Sequence, residues 1–133
     1  MQTKEIAERY VAVWNEPDAE ARRKKIAEVW AEDGVQLLYP PQEVREAAER
    51  LGTAASLEAR GHAALEERVA RSYEEFVAPG GFAFRAGDDA QRLGDVVKFS
   101  WHMVNGAGEP AGGGLEVVVL DADGRIREDY QFI

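Results

Sequence analysis

The sequence predicts an α+β domain: helices first, then a curved antiparallel sheet that closes over them as a cone. Three observations carry this. Apolar residues recur at helical spacing in three segments before residue 78, strand-like alternation takes over from about residue 82, and turn residues cluster where one pattern gives way to the next. Helices segregated ahead of a meander pack on one face of the sheet they precede. A sheet curled over helices leaves a conical interior, whose mouth is a natural small-molecule pocket.

Each element has its own signal. In KEIAERYVAVW, Ile6, Tyr10, Val13 and Trp14 fall at i, i+4, i+7 and i+8, one face of a first helix. NEPD ends it, and Asp18 is an N-cap for a second helix reaching about Ala31, which EDG stops. VQLLYP is a short strand broken by Pro40 and Pro41. QEVREAAERLG reads as a helix with Val44, Ala47, Ala48 and Leu51 on one side and Gly52 as its stop, and TAASLEARG as a linker or a lid. A helix from about His62 to Val77 turns Leu65, Val69, Tyr73, Phe76 and Val77 inward until APGG ends it. FAFRA is a short strand, and QRLGDVVKFSWHMVN alternates as one long strand. GAGEPAGGG is a hairpin loop with glycines running into the next strand, and DADG is the turn of the last hairpin.

The 133 residues suit a single domain, 1–133, and 45% apolar content is enough for a core. No apolar run approaches a membrane span, and the first residues lack a signal-peptide core, which points to a cytoplasmic protein away from membranes. With no cysteine there is neither disulfide nor thiolate chemistry. A net charge of -9 opposes nucleic-acid binding, and the basic run ARRKK reads as the wet face of the second helix. His62 and His102 lie on distant elements, His62 expected exposed at a helix start and His102 on the outer sheet face. Neither has metal-ligand spacing, so no metal is expected. The glycines of GAGEPAGGG match neither a P-loop nor a dinucleotide fingerprint.

One residue breaks the pattern of the penultimate strand, GLEVVVL. Leu115, Val117 and Val119 occupy one face, Val118 and Leu120 the other, and Glu116 shares that second face. A buried carboxylate is costly unless something pairs with it or neutralises it. An arginine such as Arg125 or Arg127 is one candidate partner. The DADG turn allows two registers. A four-residue loop sets Glu116 opposite Asp129, and a three-residue loop with a bulge at Gly124 sets it opposite Tyr130. In the first case Asp129 and Gln131 face the same side as Glu116, and two adjacent acids push one pKa upward.

ERYVAVWNEPD, AEDGVQLLYP, GHAAL and LEVVVLDADGRI, in this order and spacing, make the chain resemble the nuclear-transport-factor-2-like superfamily, and within it the SnoaL-like and ketosteroid-isomerase-like proteins. The resemblance spans nearly the whole chain and implies a cystatin-like roll and a homodimer formed through the open sheet face. It also implies roles residue by residue. Tyr10 matches the first-helix tyrosine that donates to an oxyanion, and Glu116 matches the strand acid that is the second donor, although the isomerases carry Asp there. Their base is an Asp before a proline at the end of the first strand; here that position is Tyr39, before Pro40, and a neutral phenol is a poor base. Asp129 is then the candidate base. Tyr10 also reads as an ordinary core tyrosine with its hydroxyl satisfied. Trp14, Tyr39, Phe99, Trp101 and Gln131 are the candidate binding residues, although Trp14, Phe99 and Trp101 equally suit the core. The expectation is a pocket for a small apolar or weakly polar organic ligand, with cofactor-free isomerase, cyclase or dehydratase chemistry next to a carbonyl. The alternative is a binding or interaction domain without chemistry.

Overall fold

The computed structural model describes residues 2–133. Helices α1 (Thr3–Asn15) and α2 (Ala19–Val29) lead into β1 (Trp30–Leu38), α3 (Gln42–Arg50), β2 (Leu57–Arg60) and α4 (His62–Ser72), which a π-helical turn, Tyr73–Val77, prolongs. Then follow β3 (Ala83–Ala86), β4 (Gln91–Leu93), β5 (Val96–Val104), β6 (Pro110–Leu120) and β7 (Ile126–Phe132). The seven strands form one curved, open sheet in the order β2-β1-β7-β6-β5-β3, with β4 also paired to β5. The α+β cone is as predicted. Its sheet is mixed, because β1 runs parallel to β7 while all other pairings are antiparallel.

The α1 stripe faces the core as its spacing requires: Ile6, Tyr10, Val13 and Trp14 are all buried, against Ile26, Trp30, Leu65, Val69, Phe99 and Val118. Asp18 caps α2 by accepting from Ala21 N at 2.9 Å. Arg22 departs from the wet face assigned to it. It is buried, donates to Glu16 O at 3.1 Å and lies 4.8 Å over the Tyr73 ring. Long cationic side chains lay their stems on apolar surface in this way. Asn15, at the end of α1, clamps β3: it donates to Phe84 O at 2.8 Å and accepts from Phe84 N at 2.7 Å.

Four boundaries differ from the sequence reading. The second helix stops at Val29 rather than near Ala31, because Trp30 is already extended (φ -101°, ψ 143°). Glu32–Gly34 is therefore an irregularity inside β1, where the register with β7 shifts between Trp30 and Val35. The expected long strand over residues 91–105 folds back at Gly94, whose φ of 59° suits glycine, into the β4–β5 hairpin. The segment TAASLEARG is not a lid, since Leu57–Arg60 is an edge strand paired with β1. α3 forms as predicted but buries only Ala48, and Leu51 stays 81% exposed.

Gly34 has a packing reason to be glycine. A Cβ there would stand 2.9 Å from Ile126 O and 3.0 Å from Ala31 O, both backbone atoms with little freedom to move. Gly34 O also accepts from Gly61 N at 2.8 Å, which sets the turn into α4. Gly34→Ala is expected to cost about 1–3 kcal/mol of stability, read from urea denaturation midpoints. A neutral result would show that β1 yields freely at this point.

Candidate active site

Glu116 and Asp129 come together, by a register that neither turn alternative anticipated. Near the turn, Asp121 N bonds Arg125 O at 2.7 Å and Gly124 has φ 81°, so Leu120 pairs with Ile126 as the three-residue loop requires. The ladder then shifts once more, Val119 pairing with Glu128, which leaves Arg127 bulged out. Two one-residue shifts restore the original facing. Glu116 stands opposite Gln131 and Val118 opposite Asp129, so both acids point inward as diagonal neighbours. β1 adds Gln36 beside Asp129 through the parallel pairing.

The polar cluster is ordered and buried. Tyr10 Oη donates to Asp129 Oδ2 at 2.7 Å and accepts from Gln36 Nε2 at 3.0 Å. Gln36 Nε2 also lies 3.2 Å from Asp129 Oδ2. Gln131 Nε2 at 2.6 Å and Trp101 Nε1 at 3.0 Å both donate to Glu116 Oε1. Arg68, from α4, reaches both amides: its Nε donates to Gln36 Oε1 at 2.5 Å and its Nη2 to Gln131 Oε1 at 2.8 Å. Each glutamine thus turns its oxygen to the guanidinium and its nitrogen to a carboxyl. Glu116, Asp129, Gln36 and Gln131 are all at most 5% exposed.

Two carboxylate oxygens, Glu116 Oε2 and Asp129 Oδ1, have no donor. A proton carried by Glu116 and donated to Asp129 would satisfy both oxygens at once. Burial and charge favour such a proton on Glu116. Burial, then the charge of Asp129, pushes Glu116 up to about 11. Burial also raises Asp129, against hydrogen bonds from Glu116, Tyr10 and Gln36 and the charge of Arg68 that hold it back. Tyr10 is driven well above the usual phenol value by burial and by both acids. The arginine partners considered for Glu116 play no part: Arg125 and Arg127 are exposed.

A cavity of about 240 Å³ opens beside this cluster. Tyr10, Trp14, Trp101 and Gln131 line it, four of the residues expected there. Arg68, Phe76, Phe84, Met103 and the bare backbone of Gly112 and Gly113 complete most of the wall. Glu116 and Asp129 do not border the cavity; they sit behind it, fully buried. Phe99 is likewise core, 5.3 Å from the Tyr10 ring, rather than a wall residue. Tyr39 lies elsewhere: it is 47% exposed, against Phe132 and under the Arg45 guanidinium, because β1 has already ended at Leu38. The β6 glycines explain the seat of Trp101. A Cβ on Gly114 would stand 2.5 Å from its ring, so only glycine lets the indole lie flat enough to reach Glu116.

His102 is exposed, as expected, but His62 is half-buried, with Nε2 3.0 Å from Trp30 O. Among the described residues, no three acids or histidines are grouped to hold a metal. Gln36 and Arg68 were missed from the sequence. Gln36 carried the same signal as Glu116, a polar residue among apolar strand neighbours, and Arg68 sits between Leu65 and Val69 on the inward flank of α4.

No protein-family model and no curated protein matches the sequence. Solved structures do. A candidate isomerase of the SnoaL-like family from Agrobacterium tumefaciens is 26% identical, with TM-score 0.78 over 98% of this chain and 95% of that one. A protein with a ketosteroid-isomerase-like fold from Catenulispora acidiphila, in complex with trimethylamine, is 16% identical, with TM-score 0.64 over 99% and 87%. A candidate polyketide cyclase from Sinorhizobium meliloti is 13% identical, with TM-score 0.61 over 98% and 99%. The last two show a shared fold alone.

The acid pair makes stability depend on pH with a definite sign. Glu116 keeps its proton in the folded chain to about pH 11 and loses it near 4.5 when unfolded. Between those values the folded state binds more protons, so stability falls as pH rises. Glu116→Gln keeps the acceptor for Trp101 and Gln131 and offers its NH₂ to Asp129. It is expected to fold and to show a shallower loss of stability above pH 5, measured by urea midpoints across pH. An unchanged slope would show that Glu116 does not hold the proton.

Proposed function

We propose that this chain, built on the nuclear-transport-factor-2-like fold and similar to a SnoaL-like protein, is a small-molecule enzyme. Its reaction is proton transfer next to a carbonyl, as an isomerase, cyclase or dehydratase performs, without a cofactor. The observation that carries this is Tyr10, which lines an apolar cavity and whose hydroxyl donates to a buried acid at 2.7 Å. Tyr10 is the group that meets the substrate. Asp129 is the base and works through it: as the Tyr10 oxygen takes the α-proton, the phenol proton passes to Asp129 Oδ2. No free tyrosinate is formed, which matters because burial makes one expensive. The reverse transfer returns the proton at a second carbon or at a departing hydroxyl. Glu116 is a positioning residue that keeps Asp129 ionised by holding the shared proton itself, and it anchors Gln131 and Trp101 in the wall.

The volume bounds the substrate. About 240 Å³ is the liquid volume of about eight waters and lies below the ~300–1,000 Å³ usual for drug-sized ligands. A ring with short substituents suits this volume better than a fused four-ring steroid.

The second reading, a binding domain without chemistry, is favoured by Tyr39, which stands exposed where a ketosteroid isomerase has its base, and by the burial of both acids behind the wall. Proton exchange separates the two. With a small cyclic ketone in deuterated water, the protein is expected to wash out α-protons faster than buffer, followed by proton NMR. Tyr10→Phe and Asp129→Asn are each expected to lower that rate by about 10²–10⁴. Saturable binding with no exchange above buffer would establish the binding domain instead.

The homodimer belongs to this reading too. Leu115 and Phe132 are 36% and 43% exposed on the outer face of β6 and β7, beside Val117, Val119 and Tyr130. Sedimentation equilibrium is expected to give a dimer, weakened at least tenfold by Leu115→Glu. A monomer at high concentration would remove the claim.

A further inference from the structure

Arg68 makes no direct ion pair among the described residues, although its charge is felt by Asp129 behind the amide layer. Its two described hydrogen bonds go to neutral amide oxygens, and its third contact is a stack 5.6 Å from the Trp14 ring centroid. Among the described residues, no carboxylate lies within salt-bridge reach of it. A guanidinium has five N–H donors, and only two are engaged. The Nη1 and Nη2 edge, which suits a carboxylate bidentately, keeps the rest. The two amides also hold the fork in place, so little rotamer freedom is left to lose when a ligand binds.

Arg68 belongs to the cavity wall. Much of the remaining lining is apolar, including Phe76, Phe84, Trp101 and Met103. Phe84 and Trp101 stand edge-to-face at 5.6 Å, and the Asn15 clamp fixes Phe84. The cavity therefore sets one cationic side chain in a largely aromatic wall. The acid pair behind it carries one shared proton, and Glu75 at the rim is exposed, where water and salt screen it.

We propose that the cavity binds a small organic acid, its apolar ring against Phe84 and Trp101 and its carboxylate on the Nη1 and Nη2 edge of Arg68. This rests on the cavity being the ligand site, not on catalysis. It narrows the substrate class to ring compounds that bear a carboxylate besides the reacting carbonyl.

Benzoate is the probe, with benzamide as its neutral isostere and phenyltrimethylammonium as its cationic counterpart, titrated by calorimetry or ligand-observed NMR at constant ionic strength. Benzoate is expected to bind at least about tenfold tighter than either, the effect of one charge-assisted pair. Arg68→Gln is expected to remove the preference for benzoate over benzamide, and Arg68→Lys to keep part of it. Because Arg68 also steadies two glutamines, a second variant protects the test. Gly112→Val fills the cavity from a position whose Cβ meets only Met103 Cε, at 3.7 Å, and is expected to abolish benzoate binding. Equal binding of benzoate and benzamide, tighter binding of phenyltrimethylammonium, no saturable benzoate binding, or benzoate binding unaffected by Gly112→Val would each overturn the proposal. An inactive protein that passes this test loses the proposed reaction and keeps its ligand class.

Discussion

Two carboxyls buried side by side are the constraint around which this molecule is arranged. Glu116 and Asp129 cannot both be ionised in an enclosed site, because each would face the other's charge with no water to screen it. They become tolerable through one shared proton and one positive charge nearby. The charge is held at a distance: Arg68 touches neither acid and acts through the amides of Gln36 and Gln131, each polarised by the guanidinium at its oxygen and presenting its N–H to a carboxyl. Direct contact would have made an ion pair and left Asp129 a weak base. The amide spacer moderates that pull and leaves the guanidinium donors free. The five polar side chains come from β1, α4, β6 and β7, so the cluster also fastens the helix layer to the sheet.

Much of this was readable in the sequence, for physical reasons that differ by element. The first helix was legible because Ile6, Tyr10, Val13 and Trp14 follow one helical face with no competing pattern. The oddity of Glu116 was legible because burying a charge always requires an explanation. Strand ends and pairings were less so. Trp30 suits the inward face of a helix or a strand equally well, and only the parallel contact with β7 decides. The long alternating run over 91–105 hid a tight turn, because Gly94 and Asp95 are ordinary strand interruptions until a partner strand is known. Gln36 went unnoticed since its role lies in the relation to Arg68, a residue 32 positions away in sequence.

The division between wall and support was also beyond the sequence. Tyr10, Glu116 and Asp129 form one hydrogen-bonded group, yet only Tyr10 reaches the cavity. Alternation along a strand gives the face a side chain points to, and says nothing of what lies above it. Here the indole of Trp101, seated on the bare backbone of Gly114, roofs Glu116, and the Tyr10 ring covers Asp129. The fold thus separates two demands that conflict in a single residue: the acid stays dry, and the group touching the ligand stays neutral.

The bulge at Arg127 has a consequence for how such a chain can change over generations. Arg127 is exposed, and nothing described depends on its side chain beyond a 3.5 Å surface contact with Glu128. Almost any residue could stand there. Its presence as a residue is dispensable too, because the pairs on either side of it, Leu120 with Ile126 and Val119 with Glu128, are already consecutive in the ladder. Losing that one codon would close the ladder over the gap and leave Asp129 and Gln131 facing the interior, as they do now. The position is therefore permissive to substitution and to deletion alike: what is inherited there is slack in the strand, not a chemistry.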